Sequence, residues 1–251
     1  MGVSKFPAPR DLARRCGGAM YRNILAPIRD FVYPPVCLTC DTLLEDDRER
    51  ICAPCWNSIP LVRKGDALWD ELRRTLCADG LVADFSSCYL FEQEGVLQKV
   101  LHQLKYGGMR SLGGLLGREA GKRLLGRPDF LSADAIIPVP LNRTKRRERG
   151  YNQAEEICSG ISAVTKLFVS RSVLVRTRNT ESQTGLDRTE RMENVRGAFV
   201  MRPEARGEVG SRTLILVDDV ITTGSTVAAC AAELRRQGAE KVLVVSAAIA
   251  S

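Results

Sequence analysis

Two aspartates, Asp218 and Asp219, stand side by side after the apolar run 214–217, and Thr222, Thr223, Gly224, Ser225 and Thr226 follow almost at once. Like charges repel, so the carboxylates require donors rather than anions, and sugar hydroxyls supply them. The hydroxylated turn has the opposite character. Backbone amides at a helix start, with the positive end of the helix dipole, form an anion site. Gly224 lets the backbone come close to such an anion. One strand end could therefore hold a ribose 5-phosphate, with carboxylates on the hydroxyls and amides on the phosphate. A helix N-cap uses the same residue types. It accounts for one Asp and one Thr, not for two Asp and four hydroxylated residues around a glycine.

A second constellation is Cys37-x2-Cys40 and Cys52-x2-Cys55. Two such pairs can wrap a tetrahedral Zn²⁺, each closing one side. The segment has few large apolar residues of its own, so a metal would have to hold it together. Free thiols or a redox pair are the competing reading. The chain has nine cysteines, an odd number, and no apolar signal segment at its start, which argues against a disulfide framework and for a reducing, cytoplasmic setting. Cys158 and Cys230 fall on predicted helix faces as packing residues.

The third is basic. The run after Pro138, Val139 and Pro140 carries Arg143, Lys145, Arg146, Arg147 and Arg149, and the stretch 176–197 adds Arg176, Arg178, Arg188, Arg191 and Arg196. A net charge of +7 favours polyanionic partners without choosing among them. A solvated basic face is the plainer reading of the first run.

The elements that must position these groups alternate. Apolar spacing predicts helices over 95–104, 112–125, 151–168 and 225–237, and a short one over 68–76. Strands are expected at "SSCYLFE", "ADAIIPVPL", "SVLVRTR", 212–217 and 241–249. Strands alternating with helices imply a parallel sheet flanked by helices, with the strands near Ala135, Val173, Leu216 and Val244 as parallel neighbours and Asp218 and Pro138 at one edge. The fold class is thus α/β, preceded by a small zinc-binding module. Three regions follow: an amphipathic helical segment at 1–33, a four-cysteine zinc-ribbon-like module at 34–62 and the α/β domain at 85–251. The polar stretch 179–195 reads as a long loop. No run of about 18 apolar residues exists, so no membrane span is expected. His102 reads as a structural residue.

"LILVDDVITTGST" resembles the phosphoribosyl pyrophosphate (PRPP) binding motif of type I phosphoribosyltransferases. "PVPLNRTKRRERGYNQAEE", "RTRNTESQTGLDRTERMENVRGAF" and the paired CxxC segment are together similar to the ComF family, linked with DNA uptake in competence. The resemblance covers roughly residues 31 to 250. It implies a type I phosphoribosyltransferase-like fold in which Asp218 and Asp219 hold the ribose hydroxyls and Thr222, Thr223, Gly224, Ser225 and Thr226 cradle the 5-phosphate. It places the pyrophosphate loop at Pro138 and Val139. It also matches Lys105, Arg149, Asn152, Gln153, Arg176, Gln183 and Arg191 to family positions, with Mg²⁺ accompanying the pyrophosphate. The expected activity is phosphoribosyl transfer to an unknown acceptor, a base or an amine. The alternative is a non-catalytic accessory protein that binds PRPP and single-stranded DNA and meets other competence proteins. An aromatic content of 6% weakens the DNA side, since single strands need stacking rings. With the last strand ending near Ser251, no C-terminal hood is expected over the site.

Overall fold

In a computed structural model of the chain, residues 34–46, 49–177 and 197–250 are described. The expected N-terminal helix at 1–33, most of the polar loop, and with it Gln183 and Arg191, lie outside them. The chain divides into two compact units, Met1–Trp56 and Asn57–Ser251.

In the first unit, the Cys37 N–H donates to the Thr42 carbonyl and the Leu38 N–H to the Arg50 carbonyl. Val36 and Leu43 form an antiparallel bridge. Only Cys37, Leu44 and Ile51 supply buried apolar groups among its described residues.

The second unit is built on a four-stranded, all-parallel sheet. Its elements in chain order are α1 (Ala67–Cys77), β1 (Asp84–Leu90), α2 (Val96–Tyr106), α3 (Arg110–Leu124), β2 (Ala135–Pro138), α4 (Arg143–Arg149), α5 (Gln153–Thr165), β3 (Leu174–Arg176), β4 (Phe199–Met201), β5 (Thr213–Ile221), α6 (Ser225–Arg236) and β6 (Lys241–Ile249). The sheet order is β1-β6-β5-β2. Its central strands are near-continuous apolar runs because helices cover both faces: Leu214, Ile215, Leu216 and Val217 of β5 and Leu243 and Val244 of β6 are fully buried.

Two expectations are corrected. The strand at Leu174–Arg176 is not a parallel neighbour of β2. It pairs antiparallel with Phe199–Met201 in a separate two-stranded ribbon, and only an Ile136–Val169 bridge joins the preceding residues to β2. Apolar content marks a strand but does not encode its partner. Nor do the aspartates sit at the exit of β5. The nine-residue strand runs through them to Ile221, because β6 keeps pairing with it as far as Ile249. What ends at Asp218 is the other neighbour: β2 pairs only up to Pro138 opposite Val217.

α3 and α5 meet through glycines. Gly113, Gly117 and Gly121 line one side of α3 at four-residue spacing. A Cβ added at Gly117 or Gly160 would run into the backbone of the facing helix.

Candidate functional site

The short β2 leaves the last four residues of β5 overhanging on that side, and the aspartates open that overhang. Pro138 and Asp218 therefore lie at the same carboxyl edge, where open α/β sheets bind ligands. Lys105, the penultimate residue of α2, reaches Asp219: Nζ to Oδ2 is 2.6 Å, with both side chains largely withdrawn from water. The pair splits the chemistry of the two acids. Burial pushes Asp219 up, but the Lys105 ammonium more than offsets this and holds its carboxyl below the usual range. Asp218 is raised to about 7, first by burial and then by the neighbouring Asp219 charge. Lys105 is raised despite burial, because Asp219 keeps it charged.

The turn after β5 bears the expected anion-site features. Gly224 has φ +76°, a left-handed conformation that side chains rarely adopt, and an added Cβ would strike the Leu76 side chain of α1. It caps the twelve-residue α6 without a side chain of its own; the Ser225 N–H donates to the Thr223 hydroxyl at 3.4 Å, and the amides that follow in the first turn of α6 are left for another acceptor. The Thr223 and Ser225 hydroxyls lie 3.1 Å apart. Residues Asp218 and 220–227 line a shallow, polar depression.

A second, larger cavity opens beside β2. Pro138, Pro140, Asn152 and Glu155 line it together with Arg143, Arg146, Arg171, Arg176 and Arg202. Five guanidiniums stand there against one carboxylate, and that carboxylate is spoken for: Arg146 Nη1 donates to Glu155 at 2.8 Å. Asn152 organises the wall. Its side-chain amide donates to the Val139 carbonyl at 2.9 Å while its oxygen caps α5 by accepting from the Ala154 N–H. Gln153 is buried, and its Nε2 lacks a hydrogen-bond partner among the described residues. Arg149 joins the carboxylate side instead, with its guanidinium 5.1 Å from the Tyr106 ring centre.

Sequence reasoning left the basic run without structure. It is a helix, α4, capped by Asn142, whose side chain accepts from the Lys145 N–H at 2.8 Å, and closed by Gly150 at φ +74°. No residue of α4 is buried, so periodicity gave no signal, but Asn and Gly at its two ends did. Arg171, Arg202 and Tyr106 were also missed, since nothing local marks them. His102 is exposed beside Tyr106 and does no core packing. Cys158 and Cys230 are fully buried, as expected.

In the first unit, the Sγ atoms of Cys37, Cys40, Cys52 and Cys55 all lie within 4.8 Å of one another. Cys40 and Cys52 are 3.7 Å apart, the separation that tetrahedral Zn–S bonds of about 2.3 Å require. The thiols compete for charge. Burial raises Cys37, but backbone donors led by the Cys52 N–H outweigh it and bring the thiol to about 6. Hydrogen bonds with Cys40 and Cys52 push Cys55 up to about 12. Four converging sulfurs of which only some can ionise suit a soft divalent cation, which would stabilise all four thiolates.

An α/β protein built on a parallel sheet, with a four-cysteine zinc-ribbon-like module, is the class that this fold and the cysteine cluster define. Comparison with known proteins adds the rest. Residues 28–65 match the Double zinc ribbon domain. The chain is 37% identical over 111 residues to Competence protein F of Haemophilus influenzae, covering 44% of this chain and 48% of that one. It is 34% identical over 151 residues to the DNA utilization protein YhgH of Shigella flexneri, covering 59% and 65%. Competence protein ComFC of Bacillus subtilis is 25% identical over 203 residues, covering 76% and 74%. A solved structure of glutamine PRPP amidotransferase from B. subtilis aligns with 54% of this chain and 26% of its own, at a TM-score of 0.36 and 20% identity. The chain is thus similar to proteins named for competence and for DNA utilization. It spans about half to two thirds of the length of the first two relatives.

Proposed function

We propose that the α/β unit binds PRPP and transfers its phosphoribosyl group to an acceptor, in a process that serves DNA uptake. One juxtaposition supports this above all: a carboxylate pair charged through Lys105 lies between an open helix start and an arginine-lined cavity, along one sheet edge. That order matches the ligand's own, with 5-phosphate, ribose diol and pyrophosphate in a row. Asp218 and Asp219 would accept from the ribose hydroxyls, and Thr222, Thr223, Gly224, Ser225 and Thr226 would hold the 5-phosphate. Pro138, Val139, Asn152 and Arg176 would hold the pyrophosphate, joined by Gln153 and by Gln183 and Arg191 of the undescribed stretch.

Transfer breaks the C1–O bond to pyrophosphate, which leaves with its electron pair, while the acceptor's lone pair bonds to C1 and its proton passes to water. The protein's part is positioning and charge. Guanidiniums neutralise the leaving group, and the carboxylates steady a ribose that turns positive. Among the described residues only the four-cysteine set offers three or more clustered metal-binding side chains. Mg²⁺ would therefore be held mainly by pyrophosphate oxygens and water, as it commonly is, and would supply further neutralisation of the leaving group.

A second reading keeps the pocket without turnover and makes the protein an accessory that binds single-stranded DNA and other competence proteins. The exposed, basic α4 favours it, as do the names of the relatives. Among the described residues no helix is long and apolar enough to cross a membrane.

Calorimetry with Mg-PRPP tests the binding. Charge-assisted bonds from carboxylates are worth about 1.5–3 kcal/mol each. Asp218→Asn with Asp219→Asn should weaken PRPP by about two to four powers of ten, at about 1.4 kcal/mol per tenfold. Unchanged affinity would remove the carboxylates from the site. Pyrophosphate release on adding acceptors separates the enzyme from the accessory protein.

A further inference from the structure

The aromatic residues of the α/β unit are mostly internal: Trp69, Phe85, Tyr89, Phe130, Tyr151 and Phe199 are all buried. Two described rings stand out in water, Phe168 at 64% exposure and Tyr106 at 68%. Phe168 belongs to the far end of the sheet, where its carbonyl receives the N–H of Ile136 near the start of β2. Tyr106 lies beside the carboxylate edge. It follows Lys105 directly, and while Lys105 turns inward to Asp219, the Tyr106 ring stays outside.

That ring is held, not loose. The Arg149 guanidinium lies over it, and the His102 ring stands 5.0 Å away at 45°. The backbone beneath is fastened as well. The Tyr151 hydroxyl donates to the Leu104 carbonyl, and Arg110 donates to the Gly150 carbonyl at 3.1 Å. So the end of α2 and the start of α3 are tied to Tyr151 and Gly150, the two residues that follow Arg149. A cation over one face of an aromatic ring is a favourable arrangement. With most of the residue still open, ring surface remains for a second planar group.

We propose that Tyr106 is the stacking platform for the acceptor, and that the acceptor is a planar heteroaromatic ring rather than an aliphatic amine. The inference rests on the ribose-phosphate reading of Asp218, Asp219 and the α6 start. An exposed ring beside the carbon that accepts the new bond would align a flat nucleophile and shield it from water. A neutral aliphatic amine, the form that acts as nucleophile, offers no flat face to stack on it.

Product-like probes test this in the full chain. Ribose 5-phosphate occupies the sugar and phosphate positions alone. The four ribonucleoside 5′-monophosphates add a ring at the acceptor position. At least one monophosphate should bind about tenfold to a hundredfold more tightly than ribose 5-phosphate, the scale of one base–aromatic stack. Tyr106→Ala should abolish that gain and leave ribose 5-phosphate binding unchanged, and Tyr106→Trp should restore it. Binding of ribose 5-phosphate with no gain from any base, or a gain that survives Tyr106→Ala, overturns the platform while sparing the sugar site. Failure of ribose 5-phosphate and PRPP alike overturns the reading beneath it.

Discussion

The four-cysteine module and the carboxylate edge solve the same problem, the gathering of like-charged groups, in opposite ways. In the module, four thiols from two short turns converge, and among its described residues only Leu44, Ile51 and Cys37 itself are buried apolar groups. The ligands there are the core. At the carboxylate edge a large apolar core already exists, and the acids ride on it as passengers of β5. Their repulsion is relieved by Lys105, a residue from a different helix. The first arrangement stands or falls with its ion. The second should keep its fold when its charges are lost, at a modest cost where Lys105 loses its partner, and lose binding.

Removal of zinc should give the largest effect. Purified protein should contain about one zinc per chain, since the described sulfurs form one tetrahedral set. Metal binding to such sites contributes about 10–16 kcal/mol to folding. Chelation should therefore make residues 34–56 protease-sensitive, while a fragment from about residue 57 onward stays resistant. Equal resistance of both units after chelation would show that the module has another source of stability.

The carboxylates should separate next, at about 1–3 kcal/mol. Asp219→Asn leaves the partly buried Lys105 ammonium without its ion pair and should lower the melting temperature. Asp218→Asn should not. The folded state keeps the Asp218 proton up to about 7, whereas an unperturbed Asp releases it near 3.8. Its contribution is fully present below pH 3.8 and is lost as pH rises through 7. Asp219 runs the other way, with a contribution present above pH 3.8 and lost as pH falls through its lowered pKa. Melting curves from about pH 4 to 8 should show Asp218→Asn flattening the decline toward neutrality. Identical pH profiles for the two variants would mean that Lys105 does not distinguish the acids.

The smallest effect is expected from Asn142→Ala, which removes the N-cap of α4. Such caps are worth about 0.5–2 kcal/mol, and α4 buries nothing, so faster amide exchange over residues 143–149 should be the main readout. Unchanged exchange there would mean that the Lys145 N–H finds another acceptor.

How much was legible follows from where each site's residues come from. The zinc set and the strand–turn–helix at 214–226 are each local in sequence, so spacing and residue type put their candidate residues in plain view. The Lys105–Asp219 pair spans two elements that only the folded sheet brings together, and nothing around "LKYGG" except family resemblance singled Lys105 out. The arginine cavity is hidden in the same way, because Arg171 and Arg202 flank a ribbon whose antiparallel pairing the residues of β3 do not specify. α4 was missed for a different reason. Seven polar and charged residues make no apolar stripe, and its only announcements were the cap residues at its ends.

The glycine contact between α3 and α5 bears on how this protein could be recombined. Gly117 and Gly160 each occupy room that the other helix's backbone claims, so neither helix can be exchanged alone for one from a relative with larger residues there. A chimaera with a crossover between residues 124 and 153 separates the two halves of this joint and should fold poorly, unless both parents keep glycine at the facing positions. Crossovers placed before residue 110 or after residue 165 keep the pair together. α3 and α5 thus form one heritable block, and the Asn152 wall of the arginine cavity, which opens α5, travels with it.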